Sequence, residues 1–200
     1  MTTRPGRIDE SWCPWRSPVC SAHSSRKGRD VVAVVVHYTG GGSMASTVRW
    51  LCSVPDVGRS YHVVVDRDGS ASQLVDLQRS AWHAGEADLD GEGQVNRRSI
   101  GVALCNRGPL EVGAGGQVLA AQGVTLIPYL GQTPTWAEWH GHSTMWEPYA
   151  DAQLATLRRL VRWLAQLGWP SRLVGHDLIA RPSGRKLDPG PLFPWADFRS

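Results

Sequence analysis

The run DVVAVVVHYT, residues 30–39, has no polar position between Val31 and Val36, the pattern of a strand buried on both faces. His37 comes at its end, just before glycines 40–42. Ser43 then stands where an N-cap belongs, ahead of a short helix that carries Val48, Leu51 and Cys52 inward and that Pro55 and Gly58 end. SYHVVVDRDGSASQLVD, residues 60–76, reads as strand, Asp68-Gly69 turn, strand. SIGVALCN, residues 99–106, is another short apolar strand. Leu154, Leu157, Val161, Leu164 and Leu167 recur at helical spacing over 151–167, and Gly168 and Pro170 stop that helix. RLVGH, residues 172–176, is a last short strand that ends in a histidine. The alternation of strands and helices predicts an α/β fold, a single domain with a central mixed sheet flanked by helices.

Other stretches carry no periodicity. Residues 1–29 mix proline, serine and charges and read as an irregular N-terminal arm, which leaves 30–200 as the domain. Residues 82–96 form a loop rich in glycine and acids. Residues 107–147 are glycine-rich and read as a long loop insertion, within which a hairpin around Val118–Ile127 could form. The segment GHDLIARPSGRKLDPGPLFPW, residues 175–195, holds too much proline and glycine for a helix or strand, yet it carries His176, Lys186 and Asp188.

Composition narrows the function. A chain of 200 residues with 42% hydrophobic positions suits one domain with a real core. The net charge of +3, with both signs interspersed, concentrates no basic field, so nucleic acid is not the expected partner. MTTRPGRIDESWCPWRSP lacks the apolar core of a secretory signal, and no run approaches the roughly 20 apolar residues of a membrane span. The expectation is a soluble chain made in the cytoplasm. Of four cysteines none forms a C-x-x-C pair; Cys52 and Cys105 read as buried thiols, and Cys13 and Cys20 could pair without anything requiring it. Ten tryptophans either fill the core or line grooves and stack on sugar faces.

Among the seven histidines, His37 and His176 stand out because each closes an apolar strand and opens a loop, where side chains project from a rigid scaffold. Asp188, between Leu187 and Pro189, has its direction restricted by the chain. Two imidazoles and one carboxylate match a familiar catalytic zinc set with a fourth position open. Lys186, two residues before Asp188, is a solvated surface lysine on the plain reading and a stabiliser of a developing oxyanion on the functional one.

The order HYT (37–39), SYHVVVDRDG (60–69), AWHAG (81–85), SIGVAL (99–104) and GHDLIARPSGRKLDPG (175–190) resembles the zinc-dependent N-acetylmuramoyl-L-alanine amidases. That family takes in cytosolic anhydromuropeptide amidases, phage amidase-type lysozymes and peptidoglycan recognition proteins. The resemblance implies Zn²⁺ held by His37, His176 and Asp188, with Lys186 polarising the scissile amide carbonyl. It implies hydrolysis of the bond between the lactyl group of N-acetylmuramic acid and L-alanine of the peptidoglycan stem peptide. Trp82 and His83 match a loop bordering the substrate groove in these proteins, which makes both expected substrate-binding residues and His83 not a ligand. The partners implied are peptidoglycan or muropeptide fragments. Release by lysis, or delivery, would be the route outward for a phage lysin or effector. One departure stands out: Ala103 occupies the place of the glutamate that the cytosolic amidases carry after SIG and a hydrophobic residue. Phage lysozymes lack that glutamate too and carry a functional tyrosine before the Asp-Gly turn, which assigns Tyr61 here as the replacement polar group. His62, next to Tyr61, is expected on the opposite face of the strand. The alternative reading of Ala103 is a muropeptide-binding module whose catalysis is impaired.

Overall fold

The computed structural model describes residues 6–16, 19–54 and 57–198. In chain order the first half comprises β1 (His23–Ser25), β2 (Ala33–Tyr38), α1 (Met44–Ser53), β3 (Val63–Val65), β4 (Ala71–Gln73), β5 (Arg79–Ala81), the single turn α2 (Val95–Arg98) and β6 (Ser99–Leu104). Then come β7 (Pro109–Val112), β8 (Val118–Gln122), β9 (Thr125–Pro128), β10 (Thr135–Trp139) and β11 (His142–Trp146). The chain closes with α3 (Asp151–Gln166), β12 (Leu173–Gly175), the single turn α4 (His176–Ile179) and a 3-10 turn at Trp195–Phe198.

The central sheet runs β12-β2-β6-β3-β4, parallel except for the β3–β4 hairpin at its edge. This is the expected mixed sheet. Its strands are continuous apolar runs because both faces are covered. On one face Val34, Val36, Ile100, Val102 and Leu104 pack against Leu154, Leu157, Leu160 and Leu164 of α3. On the other, Val64, Ala103 and Cys105 meet Met44, Val48 and Leu51 of α1. Ser43 caps α1 as expected, its side chain accepting from the backbone N–H of Ser46 at 3.2 Å. Pro55, expected to help end that helix, lies outside the described residues; α1 ends at Ser53. The Asp-Gly turn between β3 and β4 places Gly69 at φ +83°, a conformation glycine adopts without strain.

Three expectations need correction. Residues 107–147 are not a loop: they build a second five-stranded sheet, β10-β11-β7-β8-β9, within which the hairpin around Val118–Ile127 is β8–β9. Most residues of this sheet are partly or fully exposed, so the usual one-sided hydrophobic alternation is weak and the glycine turns dominate the sequence signal. Its base is pinned to the central sheet by buried Glu147, which accepts from Arg67 Nε at 2.6 Å, from a terminal Arg67 nitrogen at 2.9 Å and from the Arg107 backbone N–H at 2.6 Å. The N-terminal segment is not merely an irregular arm either. Ile8 and Cys13 enter the main core, and β1 pairs with β5. Third, Cys52 is no free thiol: it bonds Cys20 in a disulfide, while Cys13 and Cys105 are free and buried. Pairing across 32 residues left no local spacing to read.

The disulfide ties the N-terminal segment to α1. Cys52→Ala is expected to lower unfolding free energy by about 2–4 kcal/mol, measured by urea denaturation. Reductant should produce the same loss in the wild-type protein and none in the variant.

Candidate metal centre and its cleft

Alternation along β2 sends Val34 and Val36 toward α3 and Ala33 and Val35 to the opposite face, so His37 emerges on that opposite face. In register it lies beside Ala103 of β6. His176 follows β12 directly, and β12 pairs with β2, so both histidines leave the carboxyl ends of neighbouring parallel strands. Such ends are where α/β sheets collect their sites. Asp188 arrives from the loop beyond α4. Its backbone carbonyl accepts from the Asp177 N–H at 2.8 Å, and the next carbonyl, of Pro189, accepts from the Tyr149 hydroxyl at 2.8 Å.

The three side chains meet. His37 Nδ1 lies 2.7 Å from Asp188 Oδ2 and 3.1 Å from His176 Nδ1, and His176 Nδ1 lies 3.0 Å from the same carboxylate oxygen. All three are buried, at 1%, 3% and 8% exposure. Among the described residues they are the group of histidines, cysteines and acids able to share a metal ion. His176 Nε2 sits 2.9 Å from the Ala84 carbonyl, which can only accept, so Nε2 carries the proton and Nδ1 presents a lone pair to the centre. Three acceptors at that spacing repel unless a cation lies between them. A metal ion fits the role, or a proton in its absence. Donors on a tetrahedral ion such as zinc, with bonds of roughly 2.0–2.1 Å, lie about 3.3 Å apart, close to the spacing here.

The cluster lies at a cleft of about 460 Å³. Its lining includes six of the seven expected residues: His176 and Asp188 of the cluster, with Lys186, Tyr61, Trp82 and His83, while His37 is not in the lining. Trp82 is 40% exposed and presents its ring to solvent. The Tyr61 ring centroid is 5.0 Å from that of His37. His83 is mostly buried, with Nδ1 3.0 Å from His37 Nε2 and Nε2 3.2 Å from the Ser99 hydroxyl. Tyr61 and His62 precede β3, so strand alternation does not separate them as expected: the His62 ring lies 5.8 Å from His83. His140 and His142 are not in the cleft lining; they lie just before and at the start of β11. Sequence reading missed Arg59 and Arg185, two further cations on the cleft wall. It also missed the carbonyl of Ala84, whose backbone role no side chain announces.

Burial holds His37 neutral, lowering its pKa from 6.5 to about 4 against the partial opposing effect of the adjoining Asp188 carboxylate. Burial opposes ionisation of Asp188, but the adjoining His176 and His37, with which it can share a cation, outweigh burial and hold the carboxyl well below its usual range. Burial, reinforced by the negative charge of Asp188, pushes the Tyr61 phenol well above its ordinary value. Tyr61 therefore donates hydrogen bonds at neutral pH and is no base.

Comparison with known proteins agrees with this geometry. The family described as N-acetylmuramoyl-L-alanine amidase matches residues 27–191. The chain is 31% identical over 143 residues to the 1,6-anhydro-N-acetylmuramyl-L-alanine amidase AmpD of Escherichia coli, covering 70% of this chain and 56% of that protein. It is 30% identical over 174 residues to the N-acetylmuramoyl-L-alanine amidase AmiD of Escherichia coli, covering 82% of this chain and 51% of that one. The matches thus span about half the length of these curated relatives. Among solved structures, a selenomethionine AmpD derivative superposes with a TM-score of 0.63 at 24% identity, covering 96% of this chain and 97% of that one. The complex of Escherichia coli AmiD with the substrate anhydro-N-acetylmuramic acid-L-Ala-D-gamma-Glu-L-Lys superposes with a TM-score of 0.58 at 28% identity, covering 91% of this chain and 60% of that one.

Two outcomes follow from the buried cluster. Asp188→Ala is expected to lose stoichiometric divalent metal by elemental analysis, and retention would remove Asp188 from the ligand set. In chelator, stability should fall as pH drops from 6.5 toward about 4, because the unfolded chain takes up a proton that folded His37 refuses. Burial places His62 and His83 well below 6.5 too, which steepens the fall. Urea midpoints across that range provide the measurement; a flat profile would contradict neutral burial.

Proposed function

Because the chain belongs to the N-acetylmuramoyl-L-alanine amidase family, we propose that it hydrolyses the amide joining the lactyl group of N-acetylmuramic acid to L-alanine of the stem peptide, using a zinc ion held by His37, His176 and Asp188. The observation that carries this reading is the convergence of those three ligand atoms, with His176 and Asp188 lining a cleft that Lys186 also lines. A zinc ion there supplies Lewis acidity, polarising a carbonyl and lowering the pKa of water from 15.7 to about 7.

The chain's own residues do the rest. Lys186 places an ammonium on the cleft wall, where it holds the negative charge that grows on the amide oxygen under attack. Tyr61, neutral and against His37, offers a second hydrogen-bond donor to the same charge. Ala103, beside His37, moves no proton, so this site relies on Lys186 and Tyr61 where the cytosolic amidases have a glutamate. Trp82 offers an apolar face to a sugar ring. Arg59, Arg185 and Lys186 give the cleft a positive wall suited to the carboxylates of a stem peptide. The binding-module reading rests on Ala103 alone, whereas the ligand set and Lys186 support turnover.

The Cys20–Cys52 disulfide supports a site of action where thiols stay oxidised. It favours wall polymer over fragments recycled in the reducing cytosol. Among the described residues no helix is long and apolar enough to cross a membrane.

The test is digestion of intact sacculi beside soluble anhydromuropeptides, with and without chelator, read by mass spectrometry. Free stem peptide that disappears with chelator is the expected product; intact substrate with measurable binding would favour the module instead. Lys186→Ala should keep its metal and lose about 10²–10³ in turnover. Unchanged cleavage by that variant would refute its role.

A further inference from the structure

His83 needs an explanation that groove lining does not supply, since both its ring nitrogens are engaged inside the protein. The partners form a chain with one consistent direction. The Ser99 hydroxyl lies 2.6 Å from the Val95 carbonyl, an oxygen that can only accept, so the hydroxyl proton points there. Ser99 Oγ is then an acceptor for His83 Nε2 at 3.2 Å, which must carry a proton. In a neutral ring His83 Nδ1 is thereby an acceptor, and His37 Nε2, 3.0 Å away, must donate to it. His37 is left with a bare Nδ1 facing Asp188 and His176. Reversing the chain would strip the proton from the short Ser99–Val95 contact and set two oxygens in repulsion.

A second observation shows that the ring's place is built. A Cβ on Gly101 would lie 2.5 Å from His83 Cγ and 2.6 Å from Cδ2, so only glycine leaves room for the imidazole against β6. Ser99 and Gly101 lie two residues apart on one face of that strand. The first accepts from the ring and the second makes space for it. His83 is further enclosed between the rings of His37 and His62, at centroid distances of 5.1 and 5.8 Å.

We propose that His83 and Ser99 are positioning residues, a relay that starts at the Val95 carbonyl and locks His37 in the tautomer able to bind a metal through Nδ1. This rests on the metal-site reading of His37. Partners of this kind fix ring orientation and ligand basicity, and their loss typically weakens metal binding by about 10–100-fold.

The experiment compares wild type with His83→Leu, His83→Gln and Ser99→Ala. Zinc affinity is measured by competition with a chromophoric chelator, and the His37 tautomer by long-range proton–nitrogen NMR of the zinc-free protein. The relay predicts an Nε2-protonated His37 in wild type. His83→Leu should weaken zinc binding by about 10–100-fold and let His37 protonate Nδ1. His83→Gln should restore both readouts, because its amide presents an oxygen to His37 and an NH₂ to Ser99. Ser99→Ala, which does not contact the ligand cluster, should shift both in the direction of His83→Leu. It decides the matter if His83→Leu fails to fold. Unchanged affinity and tautomer in whichever of these two variants folds, or an Nδ1-protonated His37 in wild type, would overturn the relay. Wild-type protein that binds no zinc would instead sink the metal reading, with the tautomer still deciding the relay.

Discussion

Two imidazole nitrogens and a carboxylate oxygen, all bearing lone pairs, are held about 3 Å apart on buried side chains at the edge of a cleft. Left to themselves such groups would separate, because the repulsion is strong where the local dielectric is low. They stay together only because the scaffold cannot yield. His37 is fixed by a buried parallel strand, His176 by the neighbouring strand end and the Ala84 carbonyl, and Asp188 by a loop pinned at two successive backbone carbonyls. The free energy of folding the apolar sheet on α3 is what opposes that repulsion, and a bound cation relieves it.

The central sheet separates these tasks by face. Toward α3 it is a packed apolar core, in which the buried Gln153 of α3 donates to the Cys105 carbonyl at 2.8 Å. On the opposite face the same strands place Ser99, Gly101 and Ala103 in a row beside β2 and His37. Each of the three is small for a different reason: a hydroxyl acceptor, room for an imidazole, and an apolar neighbour next to the ligand. The absence of a carboxylate at Ala103 therefore goes with a site whose polar groups come from elsewhere, from Tyr61 ahead of β3 and Lys186 on the C-terminal loop.

The parts that depart from expectation are attachments to this frame. The sheet of residues 109–146 is anchored through Glu147 and Arg67, and the N-terminal segment through its buried Ile8 and Cys13 and the disulfide to α1. Both carry weak local signals, since the sheet is largely exposed and the segment gains its order from distant partners.

Local pattern by itself determined the central strands, α1 with its serine cap, α3 and the turn at Gly69, because burial on both faces and helical spacing leave periodic marks. It also marked His37, His176 and Asp188 as candidates, since strand ends and proline-bound loops restrict where side chains can point, while Lys186 gained a role only from the family resemblance. Only the tertiary structure decided which groups stand behind those residues. The disulfide partner of Cys52, the sheet hidden in a glycine-rich stretch, the backbone carbonyl under His176 and the two-sided engagement of His83 all depend on contacts between segments far apart in the chain. Backbone oxygens are the same at every position, so no residue type marks the ones that orient a ligand; folding alone selects them.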